Sequence, residues 1–168
     1  NYTESMKLDA CSEPEALAWS NFQRMRVRLI GAINRDLTRE TGLSEADFAI
    51  LNELVHANNE TVRAMALRGG LDWEKSRLSH QIRRMEERGL LLRKPCIEDN
   101  RGSVISLTEE GREIAVAAMA CYAEIVRRRV FAYLSPAQLA ALDEISTTLL
   151  APLESGPDET CAGDCDPC

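Results

Sequence analysis

The stretch LDWEKSRLSHQIRRMEERGLLLRKPCIEDNRGSVISLTEEG, residues 71–111, constrains this chain more than any other. Its first half carries Leu78, Ile82 and Met85 at i, i+4 and i+7, the spacing of one apolar stripe on a helix. Asp72 is a good N-cap for that helix, and Gly89 stands where a left-handed residue would stop it. Beyond Gly89, Leu90–Lys94 and Ser103–Leu107 are each short enough for a strand, the second alternating polar and apolar. Asn100, Arg101 and Gly102 suit a tight turn between them, with glycine supplying positive φ. Thr108 then caps a new helix whose first turn holds Glu109 and Glu110, the charge that suits its positive end.

Away from the apolar stripe, Trp73, Ser76, Arg77, His80, Arg83 and Arg84 project from the other side of the first helix. They include bidentate donors for guanine and phosphate and a hydroxyl for base or backbone contacts. Most charged helix faces are merely solvated; the hairpin that follows at once argues for more. Just upstream, Val62, Met65, Ala66 and Leu67 make a short helix over Thr61–Arg68, capped by Thr61 and closed by Gly69 and Gly70. A short helix, a glycine-bearing turn and a polar-faced helix form a helix-turn-helix. With the hairpin beside it, the pattern is a winged helix-turn-helix, which sets one helix in the DNA major groove.

The order Leu91-x-Arg93-Lys94-Pro95, then Glu98-Asp99-Asn100-Arg101, then Ser106-Leu107-Thr108-Glu109-Glu110-Gly111 resembles the multiple antibiotic resistance regulator (MarR) family. Residues from about Glu15 to Glu154 can be laid on that family's helix order. The resemblance implies that Asp99 braces the wing by pairing with basic side chains and that Arg101, at the tip, reaches into the minor groove. The plain alternative is a surface turn whose arginine does nothing. It also implies that the long terminal helices interlock with those of a second copy. The homodimer would hold two recognition helices one turn of DNA apart, on a near-palindromic operator of duplex DNA. Relatives bind small anionic aromatics in a cleft that Trp19, Phe22, Arg26 and His56 could line here, although aromatics at helical spacing more often belong to a core.

The fold expected is therefore mainly α: a winged helix-turn-helix with a two-stranded β wing and long N- and C-terminal dimerisation helices. Residues 1–154 form the MarR-like domain, with the DNA-binding lobe at 44–107 and dimerisation helices at 15–40 and 108–154. Phe22, Met25, Leu29, Ile33 and Leu37 mark the first helix. Ser44-Glu45-Ala46-Asp47 resembles a capping box ahead of Phe48, Leu51, Leu54 and Val55. The helix opened by Thr108 continues to about Tyr133. Ser135, Pro136 and Gln138 then start another, whose Leu139, Leu142, Ile145, Leu149 and Leu150 carry an apolar face to Pro152.

Charge points to a local DNA footprint. The chain is acidic overall, at −7, which alone argues against a nucleic-acid binder. Residues 62–106 nevertheless carry a balance of +4, and the remainder −11. No run of apolar residues is long enough for a membrane span. The N-terminus lacks a basic-then-apolar signal pattern, so a cytoplasmic protein is expected. There is no Ser/His/Asp set, phosphate loop or paired-carboxylate motif beyond helix caps, so the chain is not expected to be an enzyme.

The tail, residues 155–168, departs from the family pattern. Cys161, Cys165 and Cys168 stand in a C-x3-C-x2-C array. Three close thiols suit a soft metal or an iron–sulfur cluster, with Cys11 the attractive fourth ligand. Zinc, a thiol or disulfide switch and an inert tail are the alternatives. The leading function is a sequence-specific transcriptional regulator, of repressor type, responding to redox state or metal through that site. The alternatives are a small-molecule-responsive regulator or a winged-helix interaction module, with a zinc-clipped or inert tail.

Overall fold

The structure is a computed structural model that describes residues 10–57, 61–95 and 103–154. The elements run α1 (Glu13–Thr41), α2 (Glu45–His56), β1 (Thr61–Arg63), α3 (Ala64–Leu71), α4 (Lys75–Glu87), β2 (Leu91–Pro95), β3 (Ser103–Leu107), α5 (Glu109–Arg129) and α6 (Pro136–Glu154). A short 3-10 turn, Phe131–Tyr133, separates α5 from α6, so the helix opened by Thr108 ends earlier than its apolar pattern suggests. The chain divides between Arg129 and Val130 into two units.

The starts of the helices follow local chemistry. The Ser12 backbone N–H and hydroxyl both donate to the Glu15 carboxylate, at 2.7 and 2.6 Å. At α2 the box is reciprocal: the Ser44 N–H donates to Asp47 at 2.9 Å and the Asp47 N–H donates to Ser44 Oγ at 3.1 Å. Each arrangement satisfies donors that the first turn of a helix leaves without partners. In the second unit, the Ser135 N–H donates to the Gln138 side chain and the Gln138 N–H to the Ser135 hydroxyl. Pro136 fills the first helical position, where a missing N–H costs nothing.

Several local expectations need correction. The two-stranded wing, β2 and β3, is joined by a third strand, because Thr61–Arg63 is extended rather than helical and pairs antiparallel with Val104–Ser106. Thr61 therefore caps no helix, and Gly69 and Gly70 lie inside α3 rather than closing it. Asp72 is not the N-cap of α4 either. It takes a left-handed conformation, φ 50°, where α3 ends, and its N–H donates to Gly69 O at 3.2 Å. Glu74 occupies the N-cap position instead, without a side-chain cap bond. A short polar residue tolerates the left-handed region, so the helix end and the helix start compete for Asp72 and the end wins.

Gly89 behaves as the sequence indicates. Its φ is +73°, its N–H donates to Glu86 O at 2.9 Å, and the Leu90 N–H donates to Met85 O at 3.0 Å. That pair of bonds is a Schellman closure, and it turns the chain from α4 into β2. The Thr108 hydroxyl donates to Gly89 O at 2.7 Å and accepts from the Gly111 N–H at 2.8 Å, tying the start of α5 to the same corner.

One apolar core fills the first unit. Leu43, Ile50, Leu51, Leu54, Leu67, Leu78, Ile82, Met85, Leu90, Leu91, Ile105, Ala115 and Ala118 are all buried within it. It draws on α2 to α5 and the sheet together, so α4 is held from behind by the whole lobe. No helix among the described residues is long and apolar enough to cross a membrane.

Candidate nucleic-acid interface

α4 separates its two faces sharply. Leu78, Gln81, Ile82 and Met85 point into the lobe. Ser76, Arg77, His80, Arg83 and Arg84 are all exposed, as the periodicity requires. Trp73 differs from the other members of the row. It lies ahead of the helix, half buried against the apolar core, and the Arg77 guanidinium carbon sits 4.1 Å from the centre of its ring. Arg83 lies 3.8 Å from Glu87, an exposed pair one turn apart. On β2, Leu91 turns inward while Arg93 and Lys94 are exposed beside the helix. Asp99 and Arg101, the brace and tip expected of the wing, lie outside the described residues, as does Cys96.

Behind the basic face sits a buried carboxylate whose long-range role no local pattern reveals. Asp47, read as a capping residue, also accepts from Gln81 Nε2 at 2.6 Å and from Arg88 Nη1 at 2.9 Å. Gln81 lies in the middle of α4 and Arg88 just past its end, so the first turn of α2 grips the recognition helix. Burial pushes the Asp47 carboxyl up, but the bonds from Ser44 and Arg88 more than offset it and hold the group below its ordinary value. Every charged or polar partner is thus in place, the condition under which a buried carboxylate is tolerated.

A second buried carboxylate joins α1 to α5. Arg129 Nε donates to Asp36 Oδ2 at 2.7 Å, Arg39 pairs with Oδ1 at 2.8 Å, and Arg128 stands 3.7 Å away. The Arg129 bond, against the cost of burial and helped by Arg39, lowers the Asp36 carboxyl to about 2. Nearby, the Cys121 thiol donates to Glu40 Oε2 at 3.5 Å, and burial and then Glu40 push its pKa up. A thiol held protonated is a poor nucleophile.

A cavity of about 350 Å³ opens between α1, α2 and α5, floored by Phe48 stacked on Tyr122 at 4.7 Å. Among the described residues its polar lining includes Asn34, Glu45, Asn52 and Glu53, with no basic side chain. None of Trp19, Phe22, Arg26 and His56 lines it. Trp19 and Phe22 stack on each other at 5.6 Å on the exposed face of α1, and Arg26 donates to Gln23. His56 Nδ1 lies 2.8 Å from the Asn52 carbonyl oxygen. The four residues therefore do not gather into one pocket around this cavity.

No group of three or more His, Cys, Asp or Glu is arranged to hold a metal among the described residues. Cys11 is an exposed free thiol just before α1, while Cys161, Cys165 and Cys168 lie outside the described residues.

This arrangement of helices and sheet matches known regulators. AbsC, a MarR family transcriptional regulator from Streptomyces coelicolor, is 30% identical, with a TM-score of 0.78 over 86% of this chain and 97% of AbsC. The chain belongs to the MarR family. It is a transcriptional regulator of the winged-helix type and, like the relatives it matches, not an enzyme. The family model for transcriptional regulator SarA/Rot matches residues 32–117, which run from α1 into α5. Sco3205, a MarR family regulator from the same organism solved in complex with DNA, is 29% identical, with a TM-score of 0.80 over 91% of this chain and 95% of Sco3205. A mutant MarR from E. coli complexed with operator DNA shares the fold at 18% identity and a TM-score of 0.67, over 77% of this chain and 94% of that one. The comparison with curated proteins returned no match.

Proposed function

We propose that this MarR-family regulator acts as a homodimer on near-palindromic duplex DNA, with α4 in the major groove and the β2–β3 wing beside it. The exposed row Ser76, Arg77, His80, Arg83 and Arg84, backed by a buried inner face of Leu78, Ile82 and Met85 with the hydrogen-bonded Gln81, carries this reading. Sco3205, a relative solved with DNA, supports it. Arg101 at the wing tip adds a minor-groove or phosphate contact, and Asp99 braces it, as the family resemblance implies. The apolar faces left open on α1 and on α6 supply the surfaces for a second copy. Selection from a pool of randomised duplexes should return inverted repeats one helical turn apart. On the selected duplex, Arg77→Ala should cost about 1–3 kcal/mol if it makes a bidentate base contact. Unchanged binding by both Arg77→Ala and Arg84→Ala would remove the assigned face.

The same reading extends to sensing. The donor set of Cys161, Cys165, Cys168 and Cys11 has the softness and spacing for an iron–sulfur cluster, with zinc as the competing occupant. A bound cluster would supply one-electron redox chemistry; the chain supplies the thiolates and an acidic tail whose repulsion a cation relieves. Anaerobic purification, a visible spectrum and iron and zinc analysis test it. Replacing the three tail cysteines by serine should abolish metal content and any redox response while leaving the dimer intact. An effector entering the α1–α2–α5 cavity would meet carboxylates rather than cations, so a neutral or amine-bearing aromatic fits that lining better than an anion.

A further inference from the structure

We propose that Trp73 is a positioning residue that aims Arg77 at guanine, so that the pair sets base preference at one position of each half-site. The inference rests on α4 being the groove-entering helix, and it assigns a task within that helix to a side chain that is half buried rather than presented to DNA.

Trp73 is anchored twice. Its backbone N–H donates to Arg68 O at 3.2 Å, at the end of α3, and its ring packs against the core of the lobe. Arg77, one turn further on, is exposed and lays its guanidinium carbon 4.1 Å from the ring centre. Among the described residues no carboxylate is ion-paired with Arg77, whereas its neighbour Arg83 pairs with Glu87. A cation over an aromatic face spends its charge on the ring quadrupole and leaves its N–H donors unused. The planar fork of an arginine matches O6 and N7 of guanine, and an ammonium does not. A long side chain loses rotamer freedom when it docks, and an arginine already leaning on a fixed ring loses less. Among the described residues Arg84, on the same face, has no ring beside it, so the two arginines should differ in how sharply they discriminate bases.

The test begins with the duplex that the wild-type chain selects from a randomised pool, together with single-base variants of that duplex. Binding is followed by fluorescence anisotropy, with thermal melting as the check on folding. Trp73→Leu keeps an apolar anchor and removes the face. It should weaken binding to the selected duplex roughly 2- to 10-fold and flatten the preference for guanine at one position. Trp73→Phe should restore most of both. Arg77→Lys keeps a cation over the ring and should lose the guanine preference, which keeps the proposal testable if Trp73→Leu does not fold. In an Arg77→Ala background, Trp73→Leu should add nothing. A Trp73→Leu loss that persists in that background, or is equal on every duplex, would mean the tryptophan acts only by packing. Unchanged binding by Arg77→Ala and Arg84→Ala together would overturn the helix-face reading itself, and this proposal with it.

Discussion

The recognition lobe and the N-terminal half of α1 are built from comparably apolar sequence and end in opposite states. Ile50, Leu54, Met85 and Ile105 are wholly buried, whereas Leu17, Trp19, Phe22, Met25, Val27 and Ile30 stand 43–64% exposed. In the lobe, three short helices and a sheet each bring one apolar face to a common centre. The outer part of α1 has no such partner among the described residues. Apolar spacing states which face seeks burial; it does not say whether the partner comes from the same chain.

The sharpest way to break that contrast is to cut one side chain from each region. Leu54→Ala should lower folding stability by about 2–5 kcal/mol, because a cavity remains in a close-packed centre. Denaturant unfolding measures it, and a loss under about 1 kcal/mol would mean the lobe repacks freely. Phe22→Ala on α1 should instead leave the lobe intact and weaken self-association, read as a melting temperature that depends more steeply on protein concentration. If Phe22→Ala behaves like Leu54→Ala, the exposed face is a core rather than an interface.

A smaller effect is expected at the polar anchor of the lobe. Asp47→Asn preserves shape but weakens the acceptors used by Gln81, Arg88 and the Ser44 backbone, at a cost of about 1–3 kcal/mol. Its effect on DNA binding should exceed its effect on the melting of α1, since the bonds it loses hold α4. Equal losses in both would reduce Asp47 to an ordinary helix cap.

The smallest expected effect is confined to acid. Asp36 has an ordinary value of 3.8, lowered to about 2 in the folded chain by Arg129, against burial, with help from Arg39. The folded state therefore binds fewer protons than the unfolded one in this window, and stability falls as pH falls. The contribution of Asp36 is complete above about pH 4 and is lost as pH drops through about 2. Asp36→Asn should flatten that limb of the stability curve. A limb of unchanged steepness would place the acid sensitivity in other carboxylates, Asp47 first.

Residues 75–95 were legible almost to the residue. Leu78, Ile82 and Met85 define the inner face of α4, Gly89 its end, and Leu91–Pro95 the strand after it. Local signals suffice there because helix periodicity and a left-handed glycine act within a few residues. Thr61–Arg63 was misread because three residues show no period, and their strand partner lies more than forty residues downstream. Asp72 was misread because the end of α3 and the start of α4 both offer a place for a short polar residue.

The sequence alone thus determined the helices, the caps at Ser44, Thr108 and Ser135, the hairpin and the polar row on α4, since each depends on residues close together in the chain. Tertiary structure decided the rest: the third strand, the grip of Asp47 on Gln81 and Arg88, the Asp36 cluster between α1 and α5, and the carboxylate lining of the cavity. These all pair groups far apart in sequence, where no spacing rule reaches. What brings them together is the closing of a shared apolar core, which sets distances that no local pattern encodes.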